Sequence, residues 1–182
     1  MPSPRGERCG ACLRDAPSFC ATIAAMPYVY PIDRVVQGLK YHARLPVAAW
    51  VAERLAAAIG DPGDINLVAP IPLGDDRLRE RGFNQAWEIA RRVARRLERP
   101  AIATAITRTR NTTAQTALAF TERRRNLRGA FRANAAVIGQ HVALVDDVMT
   151  TGATLEEAAR TALAGGALSV TCWVVARAYP GR

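Results

Sequence analysis

His141-Val-Ala-Leu-Val-Asp-Asp-Val-Met-Thr-Thr-Gly-Ala-Thr154 is the stretch on which the fold turns. Val142 to Val145 form the short unbroken apolar run of a strand buried on both faces. Two adjacent carboxylates follow, Asp146 and Asp147, then a turn containing Thr150, Thr151 and Gly152, and then helical spacing to Gly165. In open α/β sheets ligands bind beyond the carboxyl ends of the strands, and the free N–H groups and positive dipole end of a following helix suit a phosphate. Thr150, Thr151 and Thr154 add hydroxyl donors, Gly152 allows close backbone approach, and Val148, Met149 and Ala153 complete the loop. Asp146 and Asp147 would repel a phosphate, so they are read as acceptors for ribose hydroxyls or as holders of Mg²⁺ through water. The run as a whole fits a phosphorylated sugar. A polar strand end followed by an ordinary N-cap turn accounts for single features but not for all of them. No Gly-x-x-x-x-Gly-Lys-Ser/Thr occurs, which excludes a nucleotide-hydrolase P-loop.

Working outward, the segments Asn66 to Ile71, Phe83 to Leu97, Ala101 to Ile106, His141 to Asp146, Gly152 to Gly165 and Leu168 to Ala176 alternate short apolar runs with helical patterns. This is the βαβ signature of a parallel sheet with helices on both faces. Upstream of the Gly60 to Asp64 turn, Ile32, Val35, Val36 and Leu39, then Val47, Trp50, Val51, Leu55 and Ile59, recur at helical spacing and predict two helices joined near His42 to Pro46. Residues 1–25 read as a short appendage and 26–182 as the main domain. Thr107 to Phe131 is too polar for core, and a stretch of that length in an α/β domain is read as a functional lid.

The chain has 182 residues, 49% of them hydrophobic, which is enough for one domain with a sizeable core. Its net charge of +9 points to anionic partners. Residues 75–132 hold 15 basic and 6 acidic residues, while the flanking segments nearly balance, so the excess is local. Every basic residue is Arg except Lys40. Arg-rich codon usage accounts for much of this, although Arg is also the better bidentate phosphate binder. Arg91, Arg92, Arg95 and Arg96 are read as a solvated helix face. Arg77, Arg79, Arg81, Arg108 and Arg123 have the stronger claim on an anion, and Lys40 stands out as a lone ammonium.

The apolar run Pro46 to Ile59 is broken by Glu53 and Arg54, so no membrane span is expected. Ala21 to Ile32 superficially resembles a signal peptide, but Glu7, Asp15, Pro27 and the early cysteines argue against one. The protein is expected to be cytoplasmic, where structural disulfides are rare. Cys9-Gly-Ala-Cys12 is then half of a zinc site, a redox pair or a chance spacing. Zinc needs four ligands, and only Cys20 lies nearby. Cys172, within Val170 to Ala176, is read as a small buried side chain.

Leu144 to Thr154 resembles the phosphoribosyl-pyrophosphate binding motif of type I phosphoribosyltransferases. Ala69-Pro-Ile-Pro-Leu73, Arg77-Leu-Arg-Glu-Arg-Gly-Phe-Asn-Gln85, Arg108-Thr-Arg-Asn-Thr-Thr-Ala-Gln115, Glu122-Arg-Arg-Arg-Asn-Leu-Arg-Gly-Ala-Phe131 and Gly38-Leu-Lys-Tyr41 resemble the ComF (competence and GntX-like) branch of that superfamily. The resemblance runs from about residue 9 to the C-terminus. It implies a phosphoribosyltransferase-type sheet with an N-terminal helical hood. It also implies a pyrophosphate loop at Ile71 to Gly74 followed by Arg77, Arg79 and Arg81, and a flap over Arg108 to Phe131 that holds Gln115 and Asn126. Cys9 and Cys12 match the second pair of a four-cysteine zinc knuckle whose first pair is absent, so either the chain starts upstream or the metal has been lost. Two functions follow. One is phosphoribosyl transfer from phosphoribosyl pyrophosphate with Mg²⁺ to an unidentified acceptor. The other is a non-enzymatic role in DNA uptake, binding single-stranded DNA beside a helicase-like competence protein.

Overall fold

The computed structural model describes residues 10–42, 45–109 and 127–179. At its centre four parallel strands run in the order β1, β6, β5, β2: β1 is Ala21–Pro27, β2 Leu67–Pro70, β5 His141–Met149 and β6 Ser169–Arg177. The two central strands are apolar on both faces, which is why they read as continuous runs: Val142 to Val145 and Val170 to Ala176 are buried except Thr171. Beyond β2 the sheet gains only a parallel bridge between Val68 and Ala101. The strand predicted over Ala101 to Ile106 is therefore reduced to one bridging residue. The next strand, β3 (Ile106–Arg108), pairs instead with β4 (Phe131–Ala133) in a separate antiparallel hairpin.

One face of the sheet is covered by α2 (Ile32–His42), α3 (Leu45–Ile59) and α5 (Gln85–Arg96), whose Val36, Leu39, Val51, Leu55, Ile89 and Val93 pack on Val68, Ala143, Val145, Trp173 and Val175. The other face is covered by α6 (Ala153–Ala164) and the β3–β4 hairpin, with Leu155, Ala158, Ala159 and Ala162 against Val142, Leu144, Cys172 and Val174. Short helices α1 (Gly10–Arg14) and α4 (Asp75–Arg81) complete the described chain. The break expected between the two N-terminal helices falls between His42 and Leu45. The boundary drawn at residue 25 falls inside β1, so Ala21 to Ala25 belong to the sheet; as an edge strand with only half-buried side chains in its interior, β1 lacks the apolar density that marks β5 and β6. Among the described residues no helix is long and apolar enough to cross a membrane.

The hairpin is tied to α6 by a buried carboxylate. Glu157 accepts the Gly129 backbone N–H at 2.6 Å and Arg160 at 2.5 and 3.1 Å, so a charge that burial would penalise is satisfied by three donors. Glu157→Ala leaves the Gly129 N–H without its acceptor and is expected to cost about 1–3 kcal/mol in urea unfolding, with Glu157→Gln recovering much of it. Equal stability of Glu157→Ala and wild type would show that this tie contributes nothing.

Candidate functional site

All four parallel strands end on the same edge, and the site is built there from the ends of β2 and β5. β2 stops at Pro70, paired with Val145, and the Ile71 N–H donates to the Val145 carbonyl at 2.9 Å. β5 continues to Met149, still paired with β6 as far as Arg177. The strand is thus longer than the sequence predicts, and the two carboxylates lie within it rather than beyond it. Asp146 lines a small open concavity of about 30 Å³ at the start of α6. Asp147 is buried and does not line the concavity. Asp146 Oδ1 accepts the Asp147 N–H at 2.8 Å, which holds the carboxylate at the rim of the concavity.

Val148, Met149, Thr150, Thr151, Gly152, Ala153 and Thr154 line the same concavity, so the whole predicted loop is brought together. Thr150 and Thr151 are exposed, and Thr151 Oγ1 lies 3.4 Å from the Ala153 nitrogen. Gly152 is the N-cap of α6 at φ +79° and has no side chain of its own to cap it. The left-handed backbone favours glycine here, and a Cβ on Gly152, 2.6 Å from Met149 Cε, would also displace the flexible end of that side chain. The first intrahelical bond runs from the Glu156 N–H to the Gly152 carbonyl at 2.8 Å, and the amides of Ala153, Thr154 and Leu155 form the helix start at the concavity. Glu156, in the same first turn, accepts both the Ser18 N–H (2.9 Å) and its hydroxyl (2.6 Å), which ties the segment before β1 to this helix. Cys172 lies in the core below. Burial, then the nearby Glu156 and Asp146 charges, push its thiol well above the ordinary range.

The arginines of the basic segment divide among distinct partners. Arg79 makes an exposed 3.2 Å contact with Asp76, and half-buried Arg81 donates to Gln85 Oε1 at 3.2 Å. Arg108, on β3 with its guanidinium 5.6 Å from the Phe131 ring centroid, is held below its usual pKa by burial and then by the positive charge of Arg77. Two guanidinium groups from separate elements therefore sit close enough to repel one another, an arrangement that an anion between or beside them would relieve. Arg91 and Arg92 differ from the solvated face expected of them: both bind Glu88, and the Arg92 side chain is only 15% exposed. Burial alone would raise the Glu88 carboxyl, but hydrogen bonds from Arg91 and Arg92 and their charges hold it below the usual value. Arg95 and Arg96 are exposed, as expected.

Lys40 falls in α2, with its side chain outside the described residues, as are Cys9, Gln115, Arg123 and Asn126. Cys12 lies on α1 and is half-buried, and Cys20 is exposed. Among the described residues no group of three or more His, Cys, Asp or Glu side chains is placed to hold a metal. A broader depression of about 480 Å³ lies between α3 and α5, lined by Glu53, Arg54, Ala56, Ala57, Arg96 and Leu97. It is remote from the strand ends and bridged by the Arg96–Glu53 contact at 3.5 Å, so it is a groove in the helix layer rather than part of this site.

The profile of the phosphoribosyl transferase domain family matches residues 83–181. The DNA utilization protein YhgH of Escherichia coli O157:H7 is 33% identical over 93% of this chain and 77% of its own length. Competence protein F of Haemophilus influenzae is 30% identical over 94% of this chain and 79% of its own. The chain belongs to the ComF branch of the phosphoribosyltransferase superfamily. Among solved structures, a glutamine phosphoribosylpyrophosphate amidotransferase from B. subtilis superposes with a TM-score of 0.53 over 76% of this chain at 16% identity, a likeness of fold. This chain covers 30% of that enzyme. The ComF-type sequence thus carries the phosphoribosyltransferase sheet with the β5 loop at its carboxyl edge. Ser18, Asn84, Gln85, Glu156 and Glu157 were given no role by sequence reasoning. A Glu inside the apolar stripe of α6 was the only signal for Glu157, and its partner is 28 residues away.

Gly152→Ala in this ComF-type chain is expected to lower stability by about 1–3 kcal/mol in chemical denaturation, from backbone strain at its positive φ. Wild-type stability of the variant would show that the loop does not need its left-handed turn.

Proposed function

We propose that this protein binds 5-phosphoribosyl 1-pyrophosphate with Mg²⁺ at the carboxyl edge of its sheet. The observation that carries the reading is the joint placement of Asp146, the Thr150 to Thr154 loop and the start of α6 around one concavity. The 5′-phosphate is held by the amides of Ala153, Thr154 and Leu155 with the threonine hydroxyls, and Asp146 accepts from the ribose hydroxyls. Asp147, buried behind it, adds the second carboxylate charge of the strand end. The diphosphate lies toward Ile71 to Gly74, Arg77 and Arg108. The donor set suits Mg²⁺ bound largely by substrate oxygens, with Asp146 contributing through water, because Mg²⁺ takes few protein ligands beside phosphates. The chemistry Mg²⁺ supplies when bound is neutralisation of the diphosphate charge. As a transferase, the protein would form a bond from C1 of the ribose to an acceptor as the bond from C1 to the diphosphate oxygen breaks, and the acceptor would lose a proton. Convergent guanidinium groups would stabilise the charge growing on the departing oxygens.

A second reading is favoured by the names of the relatives, which concern DNA utilization and competence, and by an exposed basic and aromatic surface. Trp50 is 39% exposed, with Arg54 5.7 Å from its ring centroid, and Arg95 and Arg96 are exposed on the neighbouring α5. In this reading the protein binds single-stranded DNA without sequence preference, beside a helicase-like competence partner. Within the basic segment Phe131 is buried and Trp87 half-buried, so stacking there is restricted.

Phosphoribosyl pyrophosphate with Mg²⁺ is expected to raise the melting temperature, and Asp146→Asn combined with Asp147→Asn to abolish the shift. No shift with the wild type, or a full shift with the double variant, contradicts the ligand assignment. Binding of a single-stranded oligonucleotide is expected to weaken steeply with salt. Absence of binding at low salt removes the second reading.

A further inference from the structure

Two groups of the Arg77 to Gln85 motif, Asn84 and Gln85, are not used by the ligand contacts above. Asn84 is the N-cap of α5, and its Oδ1 accepts the Ala86 N–H at 2.9 Å. Ser, Thr or Asp fills that role as well as Asn does. Only the amide of Asn84 explains the second contact, in which Nδ2 donates to the Ile71 carbonyl at 3.0 Å. Ile71 is the first residue after β2, and its own N–H is already bound to the Val145 carbonyl. Both polar groups of its peptide backbone are thereby fixed, one to the sheet and one to α5. Pro70 and Pro72 on either side restrict the backbone further.

The contact also closes the excursion from 71 to 84 onto itself. That excursion contains the loop Ile71 to Gly74 and the helix α4 with Arg77, Arg79 and Arg81. Its far end is equally constrained. Gly82 terminates α4 in the left-handed conformation at φ +74°, with its N–H on the Leu78 carbonyl, and Arg81 reaches buried Gln85 at 3.2 Å. α4 buries no residue of its own, so hydrophobic packing does not set its position. Arg77, whose charge acts on Arg108, lies on this helix within the closed excursion.

We propose that Asn84 is a positioning residue for the diphosphate half of the site: its amide latches the Ile71 carbonyl and so presets the loop and Arg77 for a diphosphate group, without touching the ligand. The inference rests on the phosphoribosyl-pyrophosphate reading given above. A latch of this kind contributes affinity by removing the cost of ordering the loop when ligand binds. It acts on the diphosphate end and leaves the 5′-phosphate end, built from the β5 loop and α6, unaffected.

Asn84→Ser separates the two roles, since the serine hydroxyl caps α5 but is too short to reach Ile71. Titration calorimetry of the full chain with phosphoribosyl pyrophosphate and Mg²⁺, and separately with ribose 5-phosphate, reads the difference. Loss of one hydrogen bond predicts a fall of roughly tenfold in phosphoribosyl-pyrophosphate affinity for Asn84→Ser. Ribose 5-phosphate affinity is expected to change by less than about twofold, and the melting temperature to fall by about 2–4 °C. Asn84→Ala, which also loses the cap, is expected to show the same ligand selectivity with a lower melting temperature. Undiminished phosphoribosyl-pyrophosphate binding by Asn84→Ser, or equal weakening of both ligands, overturns the role of Asn84 while leaving the ligand assignment standing. A wild-type chain that binds neither ligand, or only ribose 5-phosphate, overturns the diphosphate site itself and the proposal with it.

Discussion

The short turn from Met149, where β5 leaves the sheet, to Gly152 at the start of α6 sets the geometry of the site. Because β5 stays paired with β6 up to Met149, only Thr150 to Gly152 remain to reverse the chain into α6. The left-handed conformation of Gly152 makes so short a turn feasible. It sets the first amides of α6 over the edge of the sheet while Leu155, Ala158 and Ala162 descend onto Val142, Leu144 and Val174. β2 ends four residues earlier, at the level of Val145, which leaves Asp146 at the rim of the opening rather than under a neighbouring strand. Other parts of the molecule are then referred to α6: the hairpin through Glu157 and Gly129, and the segment before β1 through Glu156 and Ser18.

The net charge of +9 overstates what is free to meet an anion. Arg91 and Arg92 are engaged by Glu88, Arg160 by Glu157, and Arg99 by the Ile65 carbonyl at 2.7 Å. These contacts hold helices and loops together at sites partly shielded from water, where an ion pair or a charged hydrogen bond counts for more than on an open surface. Arg108 differs in that burial, and then the like charge of Arg77, act against its own.

The fold was legible because β5 and β6 are apolar on both faces and α5 and α6 keep helical spacing, patterns that arise directly from burial between layers. β1 was not legible, since an edge strand with half-buried side chains leaves only a weak apolar signal and Pro27 interrupts it. Ala101 to Ile106 was read as a strand from composition, yet it supplies one bridge, because sheet pairing depends on a neighbour that the local sequence does not encode. Within the site, the Thr150 to Thr154 loop was readable residue by residue, as contiguous residues build it. That Asp146 lines the opening while Asp147 is buried was hidden by the reading of a strand that ends at Val145. Asn84, Glu157 and Ser18 act through partners 13, 28 and 138 residues away, and no spacing rule reaches that far.

The central claim is that the carboxyl edge of this sheet holds a phosphoribosyl group between the β5 loop and the Arg77–Arg108 pair. A crystal structure of the full chain with phosphoribosyl pyrophosphate and Mg²⁺ tests it most directly. The account predicts the 5′-phosphate on the amides of Ala153 to Leu155, a ribose hydroxyl within hydrogen-bond distance of Asp146, and the diphosphate beside Ile71 to Gly74. Ligand density in the groove between α3 and α5, or a phosphate bound elsewhere with the β5 loop empty, would contradict it.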